Sequence, residues 1–446
     1  MKLRNVTRLL LSAFVIACLA PSCVKEGPMG PSGVAGADGK DGKDANETCK
    51  ICHTSTKVDM IATQFEFSKH SYGEAAFEES GNTGCTPCHA QEAFKYVVKN
   101  KVPATFTLNA TTGRYVNNYA TVATDAYGEI GCSTCHSALH TSYATADLAF
   151  TTVAPVPMTM WGGTKTIDLK ADGGSSNLCV KCHQPRPFTN VLTGNVLDYV
   201  ALATTAGVVY DGNPTGTTNI IKPSYRTHTH YGAIGAIYAG MGGVEFPGTL
   251  AYTNSAHTQA AACVDCHMGT MAGRSGGHTF SAAGKFDGCN VTGCHTTAIT
   301  SASTTLWKGP RDEIKLLLDN LAKKLTVGGV DILNRNPNTN ETLGGVNLWA
   351  GITTNNYDGY LNVYDPITNP TGQTYNTKSF KYVAATTPST WTAEQKAYND
   401  GLPVLTLSYA QMGALINFQL CLRDYSLGIH NFAYTKALLT NSIAKL

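Results

Sequence analysis

Five times along this chain two cysteines stand three apart with a histidine directly after the second. Cys49 and Cys52 precede His53, Cys85 and Cys88 precede His89, and Cys132 and Cys135 precede His136. Cys179 and Cys182 precede His183, and Cys263 and Cys266 precede His267. A stretched copy follows, in which four residues separate Cys289 from Cys294 and His295 comes next. At the Cys-x-x-Cys-His spacing two thiols add across the two vinyl groups of one porphyrin, and the adjacent imidazole swings under the iron as proximal ligand. The competing chemistries make different demands. A zinc half-site does not need His after the second Cys every time. A thioredoxin-like dithiol would occur once, inside a βαβ pattern. These residues therefore point to six covalently bound haems c, each with its iron, held by twelve cysteines and six proximal histidines.

Composition agrees with a folded protein: of 446 residues, 43% are hydrophobic and 14% charged, with a formal charge of +2. No Lys/Arg run or basic stripe appears, which excludes a nucleic-acid partner from the expectation. Each haem brings two propionates against one net positive charge on ferric iron, so the assembled protein is expected to be acidic. Of the 15 cysteines, haem attachment leaves only Cys18, Cys23 and Cys421, and a disulfide framework is not the explanation. Haem is joined to such motifs outside the cytoplasmic membrane, so the chain is expected to be exported.

The N-terminal residues fit that expectation. Lys2, Arg4 and Arg8 precede an apolar run from Leu9 to Ala20, and Pro21-Ser22-Cys23 follows. That is a secretory signal with an apolar segment too short to span a bilayer. The small residue before Cys23 gives residues 1–23 the form of a lipoprotein signal, with Cys23 lipidated. A cut before Cys18, or an ordinary signal with an incidental cysteine, are the alternatives. Residues 24–47 hold Gly at every third position from Gly27 to Gly42. Without hydroxyproline so few triplets read as an extended tether rather than a triple-helical stalk.

The elements that must position the motifs are modest. Between the motifs, residues 48–300 are rich in Gly, Ala, Thr and Tyr, with little sustained helical periodicity. The expected fold class is a mostly irregular, haem-wrapped chain with short α-helices and a few small β excursions, the haems forming its core. One such excursion is expected between Thr141 and Gly174, around Thr164-Lys165-Thr166-Ile167-Asp168-Leu169-Lys170. Residues 301–446 carry no haem motif. There Ile314, Leu317, Leu318, Leu321 and Leu325 predict an amphipathic helix over 308–326. Residues 327–390 read as irregular surface structure. Thr392-Ala393-Glu394-Gln395 opens a helical tract that runs with interruptions to Arg423, and a last helix runs from Phe432 to about Ala444. Cys421, in an apolar helix, reads as a small buried thiol.

With its repeated motif the chain resembles a multihaem c-type cytochrome carrying six haems. More narrowly, it is similar to the branch that contains pentahaem nitrite reductases and octahaem hydroxylamine-oxidising or tetrathionate-reducing enzymes. Two stretches carry that likeness: Ser176-Asn177-Leu178-Cys179 through Cys182-His183-Gln184-Pro185-Arg186, and Ser426 to Asn431 followed by Tyr434. The likeness covers most of residues 48–300 and the last forty; residues 327–390 match no pattern. Of 13 histidines six are proximal, and His70, His140, His228, His230, His257, His278 and His430 remain for at most six distal positions. The contexts of His70, His140, His257, His278 and His430 resemble those of distal ligands in the family. His140 lies too close to its own motif and should serve a neighbouring haem. His230 is preferred to His228 because it directly precedes Tyr231-Gly232, as in the family pattern. Met268 cannot reach the far face of the haem held by His267 and reads as packing. Arg186 is either a partner of a haem propionate or a solvated surface charge.

Two imidazoles saturate an iron and leave no position for substrate, so such a haem only exchanges electrons, at a lower potential than a His/Met haem. The sequence thus favours an electron carrier over an enzyme. It would be a membrane-anchored cytochrome, lipidated at Cys23, on the outer membrane, facing periplasm or exterior. Its partners would be redox proteins or extracellular acceptors. One alternative is an oxidoreductase acting on a small nitrogen or sulfur compound at one open haem. The related nitrite reductases usually mark their catalytic haem with Lys in place of the motif His, and no Cys-x-x-Cys-Lys occurs here. The other alternative is a subunit of a haem filament, using the spare histidine.

Overall fold

In the computed structural model the described residues are 55–72, 84–103, 106–111, 114–117, 128–142, 145–188, 191–194, 196–213, 219–224, 227–335, 342–343, 346–347, 357–363, 380–381 and 391–446. The expected signal, the tether and the first motif (Cys49, Cys52 and His53) lie outside them. Thr54–Leu446 form one compact unit.

Among the described residues fourteen α-helices follow one another, most of them short. The first ten lie in the motif-bearing part: α1 (Met60–Glu66), α2 (Lys69–Tyr72), α3 (Thr86–His89), α4 (Gln91–Asn100), α5 (Cys132–Cys135), α6 (Ser176–Cys182), α7 (Tyr199–Thr204), α8 (Ile234–Tyr238), α9 (His257–Ala260) and α10 (Cys263–His267). Four follow: α11 (Gly309–Lys324), α12 (Ala393–Gly401), α13 (Tyr409–Arg423) and α14 (Phe432–Lys445). Among the described residues the strands form only two-stranded antiparallel pairs. Phe106–Asn109 (β1) pairs with Arg114–Asn117 (β2), and Val156–Pro157 (β3) pairs with Thr166–Ile167 (β4). This second pair is the excursion expected between Thr141 and Gly174. Val208–Tyr210 (β5) reaches across the chain to Leu407–Ser408, the strand just ahead of α13.

The helix boundaries follow capping chemistry. Thr392 and Gln395 close a reciprocal capping box at the start of α12, with Thr392 Oγ1 accepting from the Gln395 N–H at 3.1 Å. Ser408 and Gln411 do the same for α13. Both pairs satisfy backbone donors that the first helical turn leaves unpaired. Pro310 in the first turn of α11 lacks a donor that would be unpaired there in any case.

The described part of the chain also carries a conventional apolar core, beyond the haem-centred one expected. Ile314, Leu318 and Leu321 of α11, Leu415 and Phe418 of α13, and Leu438 of α14 are all fully buried. Met158, Met160 and Ile167 of the β3–β4 excursion, Tyr210, Ile237 and Phe246 join the same cluster. Every residue of α13 from Met412 to Arg423 is buried, as expected of a helix that is apolar nearly all round. Cys421 is among them, fully buried, and burial pushes its thiol well up. The expectation for residues 327–390 needs correction. Their described part is not surface structure: Ile332, Leu333, Tyr357, Leu361 and Phe380 are core residues. Leu333–Arg335 pairs with Tyr357–Leu361 across a bulge. Periodicity missed it because the apolar residues are spread singly among Asn, Thr and Gly.

The three long C-terminal helices α11, α13 and α14 pack on one another, and α13 also packs against α7 and α8. Among the described residues no helix is long and apolar enough to cross a membrane. Because Leu318 is fully buried between these helices, Leu318→Ala is expected to destabilise the holoprotein by about 2–5 kcal/mol, read from the denaturant midpoint with haem retained.

Candidate haem-binding site

A single turn of helix is what an attachment motif requires, since residues three and four apart share one face. The chain provides that turn at four motifs. Cys85 caps α3, which contains Cys88 and His89, and α5 runs from Cys132 to Cys135. Cys179 and Cys182 lie in the last turns of α6, and α10 holds Cys263, Cys266 and His267. The sixth motif, with two extra residues, departs from this. It is a series of turns with Gly293 at φ 93°, tied down by Asn290, whose side chain bridges the N–H and C=O of Ile299 at 2.7 and 3.0 Å.

The histidines show the decisive pattern. Four pairs of imidazoles face one another, and each joins one motif histidine to one histidine outside the motifs. Ring centres are 5.9 Å apart for His183 and His70, and 6.2 Å for His89 and His230. They are 6.0 Å apart for His295 and His257, and 6.2 Å for His267 and His430. An iron with an imidazole on each face would hold two ring centres about 6.4 Å apart, counting two metal–nitrogen bonds of about 2 Å and the half-width of each ring. The side chains therefore fit the group the motifs imply. In a fifth association His278 lies close enough to His136 to be affected by its charge. Among the described residues no three His, Cys, Asp or Glu converge to hold a bare ion. A porphyrin supplies the equatorial nitrogens itself, and two imidazoles suffice.

Backbone carbonyls orient three of the imidazole rings. The Nδ1 of His136 lies 2.8 Å from the Leu148 carbonyl, that of His267 2.9 Å from Phe280, and that of His257 3.1 Å from Ile429. Donation from Nδ1–H leaves Nε2 as the nitrogen free for metal. His430 differs, because its Nδ1 is 2.6 Å from Oδ1 of the fully buried Asp424. Electrostatics follow the same division. Burial, with the charges of neighbouring histidines, lowers His183 to about 3. Burial, then Arg186 and further cations, lowers His230 to about 3. Burial lowers His70, His267 and His278 too. Neutral imidazole is the form that ligates iron. Among the described histidines His430 alone is raised: burial would lower it, but the charge and hydrogen bond of Asp424 outweigh that.

The C-terminal part turns out to be the clamp on the distal side. Gln419 of α13 accepts from the Thr229 N–H at 2.8 Å and donates to the carbonyls of Gly359 and Thr227 at 2.7 and 3.3 Å. This seats the 227–230 segment that carries His230. Asn431 accepts from the Ser255 N–H at 3.0 Å and donates to Asn254 at 2.8 Å, placing the approach to His257. The chain from Asp424 to His430 reverses with Tyr425, Leu427 and Gly428 at φ 64°, 53° and 86°. Gly428 sits against Ile314 at a distance a Cβ would close to 2.8 Å. These contacts position His230 and His257, two of the histidines that the sequence offers as distal ligands.

His228 and His230 have different neighbours. His230 faces His89, whereas His228 is buried with its Nδ1 2.6 Å from Nη1 of Arg423 and 3.1 Å from the Thr229 carbonyl. Arg423, fully buried, also lies over the rings of Tyr231 and Tyr360 at 4.3 and 5.2 Å. Sequence reasoning missed this Arg423–His228 contact. His140 sits exposed in the turn after the third motif, at φ 63°. Arg186 is half-buried, and its charge reaches His230. Met268 is half-buried beside α10.

The motif helices touch in a definite order. α6 packs against both α3 and α10. Cys88 Sγ lies 3.9 Å from the Lys181 carbonyl, and the Cys263 N–H donates to Ser176 Oγ at 3.1 Å. Gly235 permits a further approach, since a Cβ there would come within 2.7 Å of Val180 and 2.8 Å of the His183 carbonyl. Ser133 and Thr134 of the third motif are held by Gln91 of α4 at 2.7 and 3.3 Å. The fourth motif is thus flanked by the second and fifth.

Comparison with known families agrees. Residues 97–283 match the family model of cytochrome c552, a span that includes the third, fourth and fifth motifs and five of the histidines outside them. That match supports a multihaem c-type cytochrome related to the nitrite reductase/cytochrome c552 family, which implies covalently bound haem c and iron. No curated protein and no solved structure matches it.

Replacing His230 by Ala is expected to convert one haem from low-spin to high-spin in the oxidised spectrum, while His228→Ala leaves every haem low-spin. The high-spin charge-transfer absorption of the two variants checks this.

Proposed function

We propose that the chain is an electron-transfer cytochrome carrying six haems c, each closed on both faces by imidazole. One observation supports this most directly: each close pair of histidine rings couples a motif histidine with a non-motif one at the separation an iron between them would need. Haem, when bound, supplies one-electron exchange between ferric and ferrous iron. The chain contributes the rest. Its thiols hold each porphyrin at two points, and its carbonyls aim the rings. Burial favours the neutral form of His70, His183, His230, His267 and His278. The contacts of α6 with α3 and α10 bring three attachment sites close together, the condition for electrons to pass without a diffusing carrier. His140 completes the set of six distal imidazoles expected from the sequence.

In the same reading the protein is exported behind the signal of residues 1–23, anchored through a lipid on Cys23, and extended from the outer membrane by the Gly-rich tether. It would serve redox proteins or acceptors outside the cell. The N-terminal sequence supports this placement.

A second reading, reduction of a small nitrogen compound such as nitrite, draws on the family match. It needs one iron with an exchangeable distal face. The sixth motif is the place to look, because its turn is irregular and the partner His257 is exposed.

Intact mass of the mature protein together with low-temperature EPR of the oxidised form separates the two. The carrier reading expects six covalent haems and a wholly low-spin spectrum that nitrite and hydroxylamine leave unchanged. A high-spin signal that shifts on adding either compound would overturn it in favour of the enzyme.

A further inference from the structure

Resting on the reading that His267 and His430 ligate one iron, we propose that Asp424 makes this the haem whose ferric state the protein specifically stabilises. Asp424 would act through the distal imidazole as a positioning residue. The distinction lies in the acceptor. His136, His257 and His267 give their Nδ1–H to backbone carbonyls, whereas His430 gives its own to a carboxylate at 2.6 Å. A neutral carbonyl orients a ring. A carboxylate also draws the Nδ1 proton toward itself, leaving the ring with imidazolate character and its Nε2 a stronger donor. A stronger donor favours the higher charge on iron, and the potential falls.

The carboxylate is built to persist. Asp424 is fully buried and caps the C-terminus of α13, where Leu420 C=O accepts its N–H at 3.1 Å. Its Oδ2 accepts from the Ser426 hydroxyl and, at 3.3 Å, from the Ser426 N–H. The Ser426 hydroxyl in turn accepts the His430 N–H at 3.1 Å. The reversal at Tyr425, Leu427 and Gly428 brings carboxylate, hydroxyl and imidazole together within seven residues. Here the low surrounding dielectric strengthens each bond.

The pair carries its own spectroscopic label. Its rings are inclined by only 30°, while the pairs His70–His183, His89–His230 and His257–His295 are inclined by 64°, 61° and 71°. Near-parallel imidazoles give a low-spin ferric iron a rhombic EPR signal. Steeply crossed ones give a signal with one dominant, large g-value. Among these four pairs the rhombic signal belongs to the His267–His430 haem, which marks it in a redox titration of the whole protein.

Potentiometric titration of the holoprotein, followed by EPR, tests the proposal in two variants. In Asp424→Asn the midpoint of the rhombic signal moves to higher potential, the signal stays low-spin, and the midpoints of the large-g signals do not move. In Ser426→Ala, which removes a hydrogen bond that competes for the carboxylate's charge, the same midpoint moves the opposite way. Ser426→Ala also serves if the Asn variant fails to accumulate. An unmoved rhombic midpoint in a low-spin Asn variant overturns the proposal, as does a high-spin iron in that variant, which would reduce Asp424 to a clamp. Two variants shifting the midpoint in the same direction also overturn it. A wild-type protein with no rhombic low-spin signal would instead sink the ligation reading on which the proposal rests.

Discussion

An iron held in a porphyrin accepts ligands only along one axis, from opposite faces. A motif can deliver one of them, because Cys-x-x-Cys-His places its imidazole under the ring its thiols hold. The second must come from elsewhere in the chain and stop at a distance set by two metal–nitrogen bonds. Much of the architecture can be read as the answer to that requirement. His183 meets His70, His89 meets His230, His295 meets His257 and His267 meets His430. In three of the four, more than a hundred residues separate the two partners.

This explains why a cytochrome should carry a long C-terminal part without a single attachment motif. A segment as irregular as 227–230 or 254–257 has no ladder of its own hydrogen bonds to hold it. Gln419 and Asn431 supply them from α13 and from the turn before α14. Those polar side chains are buried, and a buried amide stabilises only where its bonds are made. The apolar core of α11, α13 and α14 sets that geometry. Asn417 shows the same economy on the other side of α13, bridging the N–H and C=O of Val244 at 2.7 Å each and Ser442 at 2.9 Å.

Burial has a chemical consequence as well as a structural one. It costs the charged form of an imidazole its hydration, so His183 and His230 are kept neutral and available to a metal. The exception, His430, is also the ring backed by a carboxylate. Ligand rings that look alike in sequence are thus not equivalent in their surroundings, and the difference lies in what the far nitrogen touches.

The attachment motifs were legible residue by residue, because they are defined by a local spacing. So were the amphipathic α11, through its run from Ile314 to Leu321, and the capped start of α12 at Thr392. The seven candidate distal histidines could be counted, and a family pattern favoured His230. Only the tertiary structure decided which motif histidines His70, His230, His257 and His430 face, and that His228 turns instead to Arg423. It also decided that residues 332–333, 357–361 and 380 belong to the core. The physical reason is one of range. Covalent chemistry and helix capping act over three or four residues, whereas an axial pair, a carbonyl behind an imidazole, or a lone buried Phe380 depends on groups that meet only when the whole chain has packed.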